Sequence, residues 1–231
     1  MKFPEFHSKE QNSMRPSSAW LKGLWRRVIY SRKQKVFVIG FHKTGTTTMG
    51  KALLMLGYTV CGSLKEGYDY SKHSKEIKKG LMEHAGPLLK RYDAFQDTPW
   101  FLLYEELYKL YPNAHFILTV RETDAWLKSV QKHFEKGKYP YHDVVYESHN
   151  PIDSPKIYSN RIEDHNNSVR KFFSEKGNFI EFSVREDGWN ELCEFLQCPK
   201  PFWKFPHANK SGVVPKGLRK LKTGIKNIFY N

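Results

Sequence analysis

At 231 residues, with 39% apolar and 15% aromatic content, the chain has the composition of one folded domain with a real core, which excludes wholesale disorder. Its formal charge is +14 at pH 7, the first hint of an anionic partner. No apolar run approaches the roughly 20 residues that span a bilayer, and the N-terminus lacks the zones of a signal peptide.

The charge is confined to the two ends. Residues 1–35 carry nine Lys/Arg against two Glu, residues 204–231 carry seven Lys/Arg and no acid, and 36–203 hold 22 of each sign. A basic chain invites a nucleic-acid reading. The neutral middle contains no zinc-finger spacing, no aromatic RNA-binding strand and no helix-turn-helix, so nucleic acid is not expected as a partner. Cys61, Cys193 and Cys198 are odd in number and lack metal-ligand spacing, which fits reduced thiols in a cytoplasmic protein.

In chain order, the N-terminal arm (1–34) comes first. Trp20, Leu21, Leu24, Trp25, Val28 and Ile29 recur there at helical spacing, with Lys22, Arg26 and Arg27 between them. Such a helix either docks its stripe on the domain or lies on an anionic membrane surface; docking is the favoured expectation for this arm. Strands are then expected at 36–40, 58–61, 94–96, 115–120 and 179–183, on short Val-, Ile- and Phe-rich runs. Helices are expected at 46–56, 71–91, 101–110, 123–136, 158–176 and 189–196. The mixed stretch 137–156 reads as a long loop over a pocket, with 62–74 as the other wall. After the domain (35–210) comes a second arm (211–231). Leu218, Leu221, Ile225, Ile228 and Phe229 there alternate with Arg219, Lys220, Lys222 and Lys226, and membrane or anionic-acceptor contact is the favoured expectation. The alternation of strand and helix predicts an α/β protein: a P-loop-like three-layer fold whose central parallel sheet of about five strands is flanked by helices.

The first strand runs into Gly40-Phe-His42-Lys43-Thr44-Gly45-Thr46-Thr47-Thr48 and then a helix. A Gly-bounded loop entering a helix N-terminus offers unpaired N–H groups and a favourable dipole to a phosphate-like anion. A nucleoside-triphosphate loop needs Lys directly after the second Gly; here that position is Thr46, and the lysine lies inside the loop as Lys43. In an open α/β sheet, ligands bind beyond the carboxyl ends of the strands. That edge should gather Lys43, Thr46 and Thr47 after the first strand, Asp97-Thr98-Pro99 after the third, and Arg121 after the fourth. Ser129, eight residues beyond Arg121 on a helix, would return to the same side, where guanidinium and hydroxyl share one phosphate.

With these groups in this order the chain resembles the sulfotransferases that use 3′-phosphoadenosine 5′-phosphosulfate (PAPS) as donor. The match lies in Lys43-Thr44-Gly45-Thr46-Thr47 at a strand–helix junction and in Arg121 with Ser129, over roughly one domain. The resemblance implies that the Lys43–Thr47 loop grips the 5′-phosphosulfate and that Arg121 and Ser129 grip the 3′-phosphate. It puts Thr48 where many relatives stack adenine on an aromatic ring, and Lys210-Ser211-Gly212 where they close the 3′-phosphate site. Lys43 would stabilise the leaving phosphate, without a metal, because a sulfuryl group carries less charge than a phosphoryl group.

The acceptor, a small molecule or glycan hydroxyl, needs a base. Where relatives carry His-x-Pro, this chain carries Asp97-Thr98-Pro99. Asp97 is either that base, its pKa raised by burial, or the cap of the helix that follows. His42 is the rival base, or a loop residue held by backbone. His165, Trp126 and Trp189 read as core. Two other readings remain at this stage: an ATP-dependent P-loop kinase, and an inactive nucleotide fold that binds membrane through its arms. Neither acceptor identity nor oligomeric state is written in the sequence.

Overall fold

Alternation within very short strands decides the architecture. In β1 (Val36–Val38), Val36 and Val38 face one side of the sheet, while Phe37 and the following Ile39 face the other, and all four are fully buried. A strand covered on both faces needs helices on both faces. The computed structural model describes residues 18–30, 34–64, 77–134, 141–148 and 150–207. Lys210 and the C-terminal arm (211–231) lie outside the described residues.

The described chain runs α1 (Ser18–Ile29), β1, α2 (Thr46–Met55), β2 (Val60–Cys61), α3 (Ile77–Arg91), β3 (Ala94–Phe95), a 3₁₀ turn (Trp100–Leu102), α4 (Tyr104–Leu110), β4 (His115–Thr119), α5 (Thr123–Phe134), α6 (Tyr141–Tyr146), α7 (Pro155–Phe173), β5 (Phe179–Phe182) and α8 (Trp189–Phe195). The five strands pair in parallel in the order β2-β3-β1-β4-β5. The α/β class and the five-stranded parallel sheet are therefore as expected. One core joins Phe37, Phe95 and Phe116 to α3, α4, α5, α6 and α7. The other joins Val36, Val38 and Ile117 to α1, α2 and α8. From β1 the chain steps to the β2 side, and from β3 it steps across β1 to β4. This reversal opens a crevice at the carboxyl ends of β1 and β3.

Three expectations are corrected. The stretch 137–156 is not one long loop: it contains α6 and the first residues of α7, with Tyr141, His142, Val145 and Tyr146 buried. The helix expected at 101–110 is broken at Leu103, whose φ of −103° and ψ of 9° separate the 3₁₀ turn from α4. Finally, α1 docks, but with the opposite face. Its buried residues are Ala19, Gly23 and Arg26, whereas Leu21, Leu24, Trp25, Val28 and Ile29 are exposed.

That inverted docking rests on close backbone approach and on hydrogen bonds. A Cβ at Gly23 would lie 1.9 Å from the Leu54 carbonyl oxygen of α2. Arg27 donates from Nε to the Gly57 carbonyl (3.0 Å) and from Nη2 to the Tyr58 carbonyl (2.8 Å), in the turn just past α2. Arg26, 2% exposed, donates to the Pro199 carbonyl. Gly23→Ala is therefore expected to push α1 off α2 and cost about 1–3 kcal/mol. Urea unfolding checks this; an unchanged midpoint would show that α1 is not held by that contact.

Candidate active site

Two carbonyls of loop 40–47, and that of Ile39 just before it, accept hydrogen bonds from the surrounding scaffold. The Ile39 carbonyl accepts from His165 Nε2 (2.9 Å), that of His42 from Trp126 Nε1 (2.9 Å), and that of Lys43 from Arg121 Nη1 (3.2 Å). Thr44, 2% exposed, donates from Oγ1 to the Phe41 carbonyl (2.5 Å) and shares a 2.7 Å hydrogen bond with Thr119 Oγ1 of β4. The first helical bonds of α2 run from the Thr48 and Met49 amides to the Gly45 carbonyl, so the amides of Thr46 and Thr47 have no helical partner. With these carbonyls engaged and the Thr46 and Thr47 amides without helical partners, the loop mouth offers donors to an anion. Gly45 has φ of 121°, and a Cβ there would lie 2.5 Å from Val184, so glycine is required at this corner.

The three strand ends do meet. The Lys43 amine feels the Asp97 carboxylate and the Arg121 guanidinium; burial, the largest effect, lowers its pKa, Asp97 raises it and Arg121 lowers it. Lys43 and Asp97 both adopt left-handed backbone, with φ of 69° and 78°, a conformation that costs non-glycine residues on the order of 1–3 kcal/mol. Asp97 does not cap a helix: its Oδ1 accepts from the Thr98 amide at 2.9 Å, and neither the 3₁₀ turn nor α4 has a side-chain cap. Burial raises its pKa above the ordinary 3.8, against the opposing pull of the Thr98 amide and Lys43.

Arg121 keeps a buried Nε without a hydrogen-bond partner and sits close enough to Arg185 for the two cations to repel. Arg185, just past β5, was not singled out in the sequence, although it follows a strand at the same edge. Beside Arg121 a polar cleft of about 640 Å³ opens between α5 and α7, lined among others by Asp124, Ser159, Glu163 and Asn166. Asn166, which lines it, keeps a buried Oδ1 without a hydrogen-bond partner. Ser129 lies half-buried on α5, and no hydrogen bond joins it to Arg121 among the described residues. Thr46 and Thr48 are buried and Thr47 is half-exposed; Lys210 lies outside the described residues.

His42 lies behind the loop, in an aromatic nest. It is 6% exposed, its Nε2 shares a 2.6 Å hydrogen bond with Tyr146 Oη, and its Nδ1 has no partner. Tyr146 stacks on Tyr158 with centroids 4.1 Å apart, and Tyr158 Oη shares a 2.7 Å hydrogen bond with His142 Nδ1. Burial holds His42 well below the usual histidine range, with His142, His133 and Lys43 adding repulsion. Burial likewise lowers His142 and His165 to about 4. His165 and Trp126 are core residues, as expected, but each also pins the loop.

A family model described as "Sulfotransferase domain" matches residues 35–214. The curated protein "Ava biosynthesis cluster protein M" of Aspergillus versicolor is 25% identical, over 75% of this chain and 80% of its own length. Among solved structures, a sulfotransferase from Alicyclobacillus acidocaldarius aligns with 14% identity and a TM-score of 0.48, covering 86% of this chain and 93% of that one.

The three buried histidines make the fold sensitive to acid. Each has a folded pKa below the unfolded value of 6.5, so the folded state binds fewer protons. The stability they contribute is complete above pH 6.5 and is lost as pH falls toward 4. Asp97, raised above 3.8, works in the opposite direction, but alone against three. The unfolding free energy from urea titrations should therefore drop between pH 7 and pH 4.5, by on the order of a few kcal/mol; a flat profile would contradict neutral burial of these rings.

Proposed function

This chain belongs to the sulfotransferase-domain family, and from that premise we propose that it moves a sulfuryl group from PAPS to an acceptor hydroxyl without a metal. The observation that carries the reading is the bond from Arg121 to the Lys43 carbonyl, which brings the cations of two separate strand ends to one rim. A donor with phosphate groups at both ends of a nucleoside suits that rim. The amides of Thr46 and Thr47, with Lys43, would hold the 5′-phosphosulfate; the free Nε of Arg121, with Arg185 and Ser129, would hold the 3′-phosphate. Thr44 acts indirectly, since its hydroxyl is already spent inside the loop.

In the reaction, the bond between sulfur and the donor's phosphate oxygen breaks as the acceptor oxygen bonds to sulfur in line. Lys43 offsets the charge that grows on the departing bisphosphate. Asp97, opposite Lys43 across the crevice, accepts the acceptor's proton, and its raised pKa makes it a better base than an exposed aspartate. His42 is the weaker candidate, because its ring is buried behind the loop and Tyr146 holds Nε2. The polar cleft beside Arg121 suits a hydroxyl-rich ligand portion. A relative named for a biosynthesis cluster is consistent with a small-molecule acceptor.

Ligand choice is the direct test. 3′-Phosphoadenosine 5′-phosphate should raise the melting temperature more than ATP with magnesium at equal concentration, through binding to the folded state alone. Greater stabilisation by ATP would instead favour a kinase. Lys43→Ala should fold normally yet lose kcat by on the order of 10²–10³-fold with PAPS.

The base has its own signature. The acid limb of the wild-type kcat/KM profile should titrate above 3.8, the ordinary value for Asp97. Asp97→Asn should abolish that limb and cost on the order of 10²–10⁴-fold in rate. If the limb survives in Asp97→Asn and disappears in His42→Gln, the base is His42.

A further inference from the structure

The apolar stripe of α1 faces away from the domain that holds the helix. Leu21, Leu24, Trp25, Val28 and Ile29 follow an i, i+3, i+4, i+7, i+8 pattern and are 63, 38, 42, 68 and 64% exposed. A domain-bound helix ordinarily buries such a stripe and exposes its charges. Here Gly23 and Arg26 make the domain contact, so the stripe is not needed for docking.

Neighbouring surface extends the face. Phe202 is 98% exposed and Trp203 49% exposed. The Lys22 amine sits 4.6 Å from the centre of the Trp203 ring, which ties α1 to this loop. Arg26 reaches the Pro199 carbonyl in the same strap. Basic residues share these segments: Lys22 in α1, and Lys200 and Lys204 on either side of Phe202 and Trp203 in the strap. Past His207 the sequence continues for 24 residues with six Lys/Arg and no acid.

We infer that this face lies on an anionic membrane surface, with α1 parallel to the bilayer, its stripe in the acyl boundary and the lysines among the headgroups. Charge selects this occupant. A second copy of the chain would bring basic residues against basic residues, whereas anionic lipid satisfies apolar stripe and cations together. Tryptophan and phenylalanine at the edge suit the interfacial depth. No helix among the described residues is long and apolar enough to cross a membrane, so the contact is peripheral. The inference does not depend on the sulfuryl-transfer reading.

The test is flotation of the full chain with vesicles of phosphatidylcholine alone or phosphatidylcholine mixed with phosphatidylserine. The protein should float with the anionic vesicles, and on the order of tenfold less with neutral ones at moderate salt. A triple variant, Leu21→Gln with Val28→Gln and Ile29→Gln, should keep its circular dichroism and melting temperature. It should lose anionic-vesicle binding by on the order of tenfold or more. Failure to float with either vesicle, or equal flotation of the variant, would overturn the proposal. So would a concentration-dependent dimer, without lipid, that the variant abolishes, because a second copy would then cover the face.

Discussion

The site depends on one division of labour in the backbone of residues 39–47: the carbonyls of Ile39, His42 and Lys43 bond inward, while the amides of Thr46 and Thr47 have no helical partner. Donors from three elements enforce this, namely His165 on α7, Trp126 on α5 and Arg121 beyond β4. Each fills an acceptor that would otherwise repel an anion at the mouth of the loop. An unpaired buried carbonyl is costly, so the loop cannot readily peel off and turn its carbonyls outward. The core aromatics thus have an electrostatic consequence far from their own positions. Trp126 is fully buried, yet its indole nitrogen engages a carbonyl of the loop, that of His42.

Much of this was legible from residue order. The five strands and the junction of strand, Gly-bounded loop and helix are carried by local pattern, and parallel topology then forces strand ends to one edge. Hence Lys43, Asp97 and Arg121 could be placed together from the sequence. Other features depend on tertiary facts that period and composition do not encode. The periodicity of α1 marks a stripe, but which way the stripe faces depends on Gly23 meeting the end of α2. The six residues of α6 are too short for a helical period to stand out, and their burial comes from rings supplied by α5 and α7. Arg185 was missed because a cation after a strand is ordinary until its neighbour is known to be Arg121.

The histidine nest shows the same dependence. From the sequence, His42 is either a rival base or a loop residue held by backbone. Its ring instead turns back under the loop, where Phe134, His142 and Tyr146 surround it. A neutral ring suits that place, since a charged one would oppose Lys43 at short range and would be unsolvated. Keeping His42 neutral therefore favours Lys43 as a cation of the loop.

Asp97 and Lys43 are bound by a similar compromise. Each is pulled toward its neutral form by burial and toward its charged form by the other. Arg121 tilts the balance, because its guanidinium makes a second cation at Lys43 less favourable and an anion in the crevice more favourable. A ligand phosphate entering between Lys43 and Arg121 would screen their repulsion and raise the Lys43 pKa. The same negative charge would raise that of Asp97. Left-handed backbone at both residues holds the pair at the crevice against its conformational cost. An anion in the crevice and the protonation of Asp97 and Lys43 are in this way linked through charge.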